Sequence, residues 1–433
     1  MLRDIRFTAQ LSPIDAHNEW RFFDYHGAPN PRRGGAIQYT GGSSDPSNLV
    51  RLIFERLIFD HNLADSGGAI YVDGRAGQPV PAQPSRQNWE SSVALTMRSC
   101  TMFRNFGLTG GGLYTIDVWP MVFSFEDVAF VENEAAMSQD DCHYLTGFPG
   151  TQRRSGFGSV VYRSSHFDGG YETYGVTSLI PTTVAWLDDT DDPDATLNVT
   201  HDRTTAVNHG AVWFGIVIQT GIWPIPSNFH FTYNTHFVEL EMKNNEALDQ
   251  GDMQDGAYLN VLGATGNALV EHSRFERNGN FDSAAQGAGG TTFWLSDSPP
   301  PEHWPSGRFV GSEWVANSAG FGPAVALVSG LGDVTFEQCI MRNNLAHQGG
   351  GAVSFDGSAS STLLIDRSIL ESNAVRVRQS DEKDTPATVV VFTGGMGWLG
   401  DATSGGYQAP VWRIDNGRKC SSLCLSGFLS PVS

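Results

Sequence analysis

Large apolar side chains recur along the chain at two fixed distances before an asparagine. One stands three residues and another eight residues before each of eight asparagines. The asparagines are Asn62, Asn105, Asn133, Asn245, Asn278, Asn317, Asn344 and Asn373. The nearer apolar residues are Phe59, Met102, Phe130, Met242, Phe275, Trp314, Met341 and Leu370, and the farther ones are Phe54, Met97, Phe125, Phe237, Val270, Phe309, Phe336 and Ile365. Because neither position admits a polar residue in these units, we expect both to face a core.

A single unit, residues 52–72, shows what the repeat predicts. Leu52 and Phe54 alternate with polar neighbours, which is the period-two signature of a strand with one buried face. A second short strand is predicted around Phe59, after which the chain turns at Asn62. A glycine pair at 67–68 then precedes a third apolar run, residues 69–72, and glycine permits the positive φ of a tight corner. Each unit therefore predicts three short strands separated by corners.

Units of this kind bury their apolar faces only by stacking on their neighbours. Each strand would then pair with its counterpart in the next coil, about 4.8 Å away, and the asparagine amides would stack into a ladder along the axis. The predicted fold class is all-β: a single-stranded parallel β-helix of about ten to twelve coils with irregular capping ends. The general chirality of parallel crossovers makes the expected coil right-handed.

Two short motifs carry a family resemblance. The segment FDHN at 59–62 is followed by GGAI at 67–70, and GGAI also occurs at 34–37. These motifs resemble the FxxN and GGAI repeats of polymorphic outer-membrane proteins and, more broadly, the pectin-lyase-like β-helix superfamily, over roughly residues 15–395. The resemblance implies either a surface protein such as an adhesin or passenger domain, or a polysaccharide lyase or hydrolase.

The repeat divides the chain into five segments. We expect an N-terminal cap over residues 1–33, regular coils over 34–146 and 229–395, and a C-terminal cap or tail over 396–433. Between Asn133 and Asn245 the rhythm breaks. We interpret residues 147–228 as three degenerate coils with long loops, in which residues 159–162, 183–187 and 211–218 are predicted to form the strands that follow the third corner, with an inserted subdomain as the alternative.

The broken segment also holds the residues that could bind a ligand. Aspartates 188, 189, 191 and 192 supply the hard oxygen ligands that Ca²⁺ prefers, although a solvated acidic loop is the simpler interpretation. Indole rings can stack on sugar faces or fill a core, and an imidazole can donate to a sugar hydroxyl. The candidate calcium ligands are Asp188, Asp189, Asp191 and Asp192, and the candidate glycan ligands are Trp186, His209, Trp213 and Trp223.

Charge and cysteine content exclude several function classes. A formal net charge of −20, with 3 lysines, argues against nucleic-acid binding, and no apolar run is long enough for membrane insertion. Cys100 and Cys339 occupy the same repeat position and are expected in the core, whereas Cys420 and Cys424 could form a local disulfide. The first residues lack the apolar core of a signal peptide, and we expect a fragment of a longer, exported precursor located outside the cell or on its surface.

These patterns favour a non-catalytic surface repeat protein that presents a long sheet face for adhesion or glycan binding. The alternative is a carbohydrate-active enzyme, a polysaccharide lyase or glycoside hydrolase, with its site on the loops of 147–228. The Asn-Thr-Asp and Gly-His-Gly segments of the hydrolases in this superfamily are absent. The tripeptide at 208–210, Asn-His-Gly, is the best partial match to them. No catalytic residue and no oligomeric state is indicated, and no cofactor is expected apart from a potential Ca²⁺.

Overall fold

A computed structural model describes about half of the chain, in segments that follow the repeat. The described residues are 1–8, 34–41, 50–64, 66–74, 93–107, 110–116, 121–135, 143–145, 156–169, 177–178, 195–208, 212–213, 231–245, 267–279, 291–294, 306–321, 323–328, 333–349, 351–355, 363–375, 390–392 and 412–415. Regular secondary structure in these segments consists of β-strands.

Two long parallel sheets dominate the architecture. Sheet A has 12 strands, namely Leu2–Arg3, Val50–Glu55, Val93–Arg98, Met121–Glu126, Gly156–Arg163, Ala195–Asp202, Phe231–Val238, Asn267–Glu271, Ser306–Val310, Val334–Glu337, Leu363–Asp366 and Trp412–Asp415. Sheet B has 11 strands, namely Arg6–Thr8, Ile58–Asp60, Thr101–Phe103, Ala129–Val131, His166–Asp168, Thr205–Val207, Glu241–Lys243, Arg274–Glu276, Glu313–Val315, Ile340–Arg342 and Ile369–Glu371. Each of the first eleven strands of sheet A is followed, a few residues later, by a strand of sheet B.

A third side of each coil is less continuous. Its four-stranded sheets contain Ile37–Thr40, Ile70–Asp73, Leu113–Ile116 and His143–Leu145 near the N-terminus, and Thr291–Trp294, Val325–Val328, Val353–Phe355 and Val390–Phe392 near the C-terminus. Shorter parallel pairings join Phe106–Gly107 with Glu134–Ala135, Thr177–Ser178 with Val212–Trp213, and Ser318–Phe321 with Leu345–Gly349 and Ala374–Val375. Three strand directions per coil, each paired in parallel with the next coil, make a parallel β-helix and confirm the predicted fold class.

The core lies inside the coil and consists of stacked rows of apolar side chains from sheet A, sheet B and the third side. Equivalent residues face each other in register, as Phe54 and Met97 do in sheet A, and they belong to one continuous cluster. Rings in successive coils stack face to face, with 4.7 Å between the centroids of Phe125 and Tyr162. This separation matches the spacing of paired strands, so each coil buries its apolar face against its neighbours.

Most corners that flank sheet B place a non-glycine residue in the left-handed conformation, although Gly311 takes this position in one coil. Arg56 (φ 51°) stands between sheets A and B, and His61 (φ 53°) stands directly before a ladder asparagine. This conformation costs an L-residue roughly 1 kcal/mol or more. At each corner the backbone N–H donates to the next coil, as in the 2.9 Å bond from Arg56 N to the carbonyl of Arg98, which offsets that cost. Glycine serves the third corner, as predicted, with φ 65° at Gly67.

The coil stack extends beyond the predicted boundaries at both ends. Strand Leu2–Arg3 pairs in parallel with Val50–Glu55, and Arg6–Thr8 pairs with Ile58–Asp60. These strands lie within residues 1–33, for which the sequence predicts an N-terminal cap. Near the C-terminus, Trp412–Asp415 adds a twelfth strand to sheet A within residues 396–433, for which a cap or tail is predicted.

The segment between Asn133 and Asn245 contains two coils in the part that the structure describes, not three. Their sheet A strands are Gly156–Arg163 and Ala195–Asp202, and each is followed by a sheet B strand. Both coils continue sheets A and B without interruption. The strand predicted at 183–187 lies outside the described residues, and residues 159–162 lie in sheet A, not after the glycine corner where the sequence placed them.

Candidate functional site

Most of the predicted ligand-binding residues lie outside the described part of the chain. These are Trp186, His209, Trp223 and the four aspartates, Asp188, Asp189, Asp191 and Asp192. Trp213 belongs to the short strand Val212–Trp213, which pairs with Thr177–Ser178, and its side chain is not described. The glycan-binding and calcium-binding assignments therefore remain predictions.

The eight repeat asparagines are buried and form two runs of a hydrogen-bonded ladder. In the first run, Asn62 donates from Nδ2 to Oδ1 of Asn105 at 2.8 Å, and Asn105 donates in the same way to Asn133 at 2.8 Å. The second run joins Asn245 through Asn278, Asn317, Asn344 and Asn373. Each amide also donates to a backbone carbonyl of the preceding coil, so these side chains hold coils together and are inaccessible to a ligand.

The two runs are separated by the two coils that lack a ladder asparagine. Counting three residues from the core positions Phe167 and Ala206 gives glycine at 170 and His209. Glycine has no side-chain amide, and an imidazole cannot both donate two hydrogen bonds and accept two as a side-chain carboxamide does. The sequence of these two coils therefore interrupts the asparagine ladder. In the same coils the outer surface of sheet A differs from that of the other coils.

Sheet A is widest at this interruption. Its strands Gly156–Arg163, Ala195–Asp202 and Phe231–Val238 have 8 residues each, whereas its other strands have 2 to 6. Alternation directs Leu197 and Val199 inward and the intervening residues outward, half-buried. We call the outer surface of this region the central polar face; it comprises Ser159, Asn198, Thr200, Asp202, Asn234, His236, Asn267 and Glu271.

A row of outward amides runs along this face from coil to coil. Asn234 donates from Nδ2 to Oδ1 of Asn198 at 2.9 Å, and the backbone N–H of Asn267 donates to Oδ1 of Asn234 at 3.0 Å. Ser306 extends the row through a short hydrogen bond from its hydroxyl to Oδ1 of Asn267. Among the described residues, Nδ2 of Asn198 and Nδ2 of Asn267 have no acceptor, so the row offers amide donors toward solvent.

Ion pairs neutralise most of the charge on one side of the face. Asp202 accepts from Nε of Arg163 at 3.1 Å and from Nε of Arg203 at 3.0 Å. The hydrogen bond from Arg203, and secondarily that from Arg163, holds the pKa of the Asp202 carboxyl below its usual range despite partial desolvation. Asp202 therefore stays ionised near neutral pH and is unsuited to act as a general acid.

On the other side, a histidine and a glutamate form a pair between adjacent strands. Nε2 of His236 lies 2.8 Å from Oε2 of Glu271, and both side chains remain partly exposed. Thr200 lies beside His236 in register on the neighbouring strand. A histidine that contacts a carboxylate in this way is a candidate general base toward a bound ligand.

The residues of this face were not identified from the sequence, although a signal was present. Within residues 195–202 and 231–238, the described outward side chains are threonine, asparagine and histidine, together with Asp202 and Val238. The sequence analysis followed the asparagine repeat and therefore looked for strands at 183–187 and 211–218 in this segment. Polar alternation in a segment without repeat asparagines would have located the two missing strands.

Metal-binding and membrane-spanning features are absent from the described residues. No group of three or more histidine, cysteine, aspartate or glutamate side chains in those segments is placed to hold a metal ion. Nor do they contain a helix of the length and hydrophobicity that crossing a bilayer requires.

Comparison of the chain with protein-family models, curated proteins and solved structures gave no match.

Proposed function

We propose that this chain is a non-catalytic β-helix repeat protein of the cell surface or extracellular space, and that it binds glycans through the central polar face. The observation that supports this most directly is the outward amide row of Asn198, Asn234 and Asn267. Carboxamides both donate and accept, which suits the hydroxyl and ring oxygens of sugars. A solenoid supplies such groups at a repeat of about 4.8 Å over a rigid surface, which keeps the entropy lost by the protein on binding small.

Charge narrows the class of glycan. The chain carries a formal net charge of −20, and the arginines next to the face, Arg163 and Arg203, are both engaged by Asp202. An acidic polysaccharide would meet a repulsive field with few free cations to neutralise it. We therefore expect neutral, hydroxyl-rich chains to bind more tightly than uronate-containing or sulfated ones at low ionic strength.

The wider relationship is also part of this proposal. The FDHN and GGAI motifs fall at a ladder corner and at a glycine corner of the β-helix, as they would in the pectin-lyase-like superfamily. We infer that the chain is a divergent member, resembling the repeats of polymorphic outer-membrane proteins. Export and surface location follow from that inference.

A binding experiment tests the proposal. Purified protein is applied to a panel of neutral and acidic polysaccharides, with and without Ca²⁺, and the binders are measured by calorimetry. Replacing Asn234 with alanine removes one donor and one acceptor of the row and should weaken binding about tenfold, the equivalent of about 1.4 kcal/mol. The matched control is Thr335→Ala, an outward residue of sheet A three coils away, which should leave affinity unchanged. Absence of binding to every polysaccharide would refute the proposal.

A catalytic role is the second candidate, and the His236–Glu271 pair favours it. A histidine oriented by a carboxylate can act as a general base. The same panel should then be analysed for new reducing ends or unsaturated products. His236→Gln would abolish product formation while leaving binding intact if this pair is catalytic, whereas glycan binding without any product supports the non-catalytic assignment.

A further inference from the structure

One ladder asparagine is followed by glycine, and the coil geometry forces that glycine. The residues after the other seven ladder asparagines all carry a side chain, whereas Gly279 follows Asn278. Gly279 has φ 127°, and a Cβ placed on it would lie 1.8 Å from the carbonyl oxygen of Ser318 in the next coil. Packing between coils therefore excludes any other residue at 279, whatever the chemistry of the neighbouring amide.

Asparagine followed by glycine has an intrinsic reactivity. The backbone nitrogen of the glycine can attack Cγ of the asparagine, forming a new C–N bond in a five-membered succinimide while ammonia leaves with the side-chain nitrogen. Water then opens the ring at one of its two carbonyl carbons and leaves either aspartate or isoaspartate. A glycine lacks the side chain that would hinder this attack, so Asn278 is the ladder position at which the reaction meets least steric resistance.

In the folded coil both reacting groups are held apart by hydrogen bonds. The backbone N–H of Gly279 donates to the carbonyl oxygen of Asn245 at 2.9 Å. The amide of Asn278 donates from Nδ2 to the carbonyl oxygen of Met242 at 3.0 Å and accepts from Nδ2 of Asn245 at 2.9 Å. Asn278 has no solvent exposure, so water cannot reach a succinimide there. Cyclisation requires these bonds to break, which means that the coils must separate locally.

The product could not resume the place of the asparagine. An aspartate at 278 presents a carboxylate oxygen to the carbonyl of Met242, and both are acceptors without a proton between them. A buried carboxylate without that proton is unfavourable. Isoaspartate also adds a methylene group to the backbone, which shifts the register of the coil.

We propose that Asn278–Gly279 is a hydrolytic deamidation site that the folded coil protects, that coil separation opens, and whose modification prevents the coils from closing again. The site converts a transient separation of the coils around Asn245 and Ser318 into a permanent one. This inference does not depend on the proposed glycan binding.

Peptide mapping tests the protection directly. The protein is incubated in mildly alkaline buffer with and without denaturant, and the aspartate plus isoaspartate content at 278 is followed by mass spectrometry. The chain contains a second Asn-Gly pair at residues 416–417, which reports the intrinsic rate in denaturant. We expect equal rates at 278 and 416 in denaturant, and a rate at 278 at least about tenfold lower in native buffer. Equal rates at 278 in native and denaturing buffer would overturn the proposal.

A variant tests the claim of irreversibility without waiting for the reaction. Asn278→Asp should lower the melting temperature at neutral pH. The melting temperature should recover on acidification, because a protonated carboxyl can donate to the carbonyl of Met242. Burial raises the pKa of such a carboxyl in the folded state, so its stability is retained at low pH and lost as the pH rises through that pKa. The control Asn234→Asp makes the same change on the outer face and should show a much smaller shift. A melting temperature of Asn278→Asp equal to that of the wild type at neutral pH would overturn the proposal.

Discussion

Replacing Asn344 with alanine removes an amide of the ladder that makes four hydrogen bonds. Its Nδ2 donates to the carbonyl of Trp314 at 3.1 Å and to Oδ1 of Asn373 at 2.8 Å. Its Oδ1 accepts from the backbone N–H of Asn317 and from Nδ2 of Asn317, both at 3.0 Å. All four residues are buried, so water cannot replace the lost side chain without opening the coil.

The expected cost follows from the groups that are left behind. The carbonyl of Trp314 and the backbone N–H of Asn317 lose their partners, whereas Nδ2 of Asn317 keeps the carbonyl of Phe275 at 3.0 Å and Oδ1 of Asn373 keeps the backbone N–H of residue 344 at 3.1 Å. Each buried group left unsatisfied costs about 1 kcal/mol or more, so we expect the free energy of unfolding to fall by about 2 kcal/mol. The cavity left by the carboxamide adds to this loss.

The assay combines denaturant unfolding with hydrogen exchange, because a solenoid can open coil by coil. Exchange should accelerate most in the peptides that contain Asn317 and Asn344, on either side of the missing bonds. The neighbouring Asn343 is exposed and has φ 55°, a conformation that glycine adopts freely, so Asn343→Gly is the matched control and should change stability by less than about 0.5 kcal/mol. If Asn344→Ala proved as stable as this control, the ladder would not hold the coils together.

Three further measurements probe other parts of the coil. Gly68→Ala should destabilise the protein by more than about 2 kcal/mol, because the new Cβ would lie 2.1 Å from a carbonyl oxygen of the next coil. Gly307→Ala should cost less than about 1 kcal/mol, because its Cβ would meet only side chains, at 3.4 Å or more. Denaturant unfolding of the two variants measures this difference. Burial raises the pKa of the Cys339 thiol to about 11, so a thiol reagent at neutral pH should label Cys339 only after unfolding, and rapid labelling of the native protein would contradict its burial. The hydrogen bond from Arg203 lowers the pKa of Asp202, so this pair stabilises the fold at pH values above the ordinary pKa of aspartate and loses that contribution on acidification. Arg203→Gln should therefore flatten the decline in melting temperature between roughly pH 5 and pH 2. Identical melting temperatures of the variant and the wild type across that range would show that the pair contributes nothing.

The fold could be predicted from the sequence because a solenoid repeats its internal constraints. Each coil must place an apolar residue above that of its neighbour and must satisfy the same corner, so Phe54, Met97 and their counterparts recur at fixed spacing. The ladder asparagine is equally constrained, since a buried carbonyl and a buried N–H of adjacent coils require a side chain that both donates and accepts. Constraints that recur in every coil produce a signal that a single sequence can reveal.

The same argument explains where the sequence analysis failed. In the two coils without a ladder asparagine, Tyr162 and His201 occupy the core row, and the imidazole of His201 stacks between Tyr162 and Phe237. A histidine at an apolar core position breaks the hydrophobic pattern by which the strand would be recognised in the sequence. Its ring nevertheless packs much as a phenylalanine ring would. The corners flanking sheet B were expected, but their backbone conformation was not, because Arg56 and His61 adopt the left-handed conformation for which glycine is the usual sequence signal.

We expect function to lie on the side of each strand that the repeat leaves free. The inward side chains of Leu197 and Val199 pack against the coil above and the coil below, which restricts the residue type at these positions. The outward residues between them face solvent, so their type can change without loss of stability. Ion pairs across such a face contribute little to folding, so the pairing of His236 with Glu271 and the amide row through Asn234 have no strong structural justification. Three strands lengthened to 8 residues provide more surface than the core requires, and that surplus is the strongest physical reason to seek the ligand there.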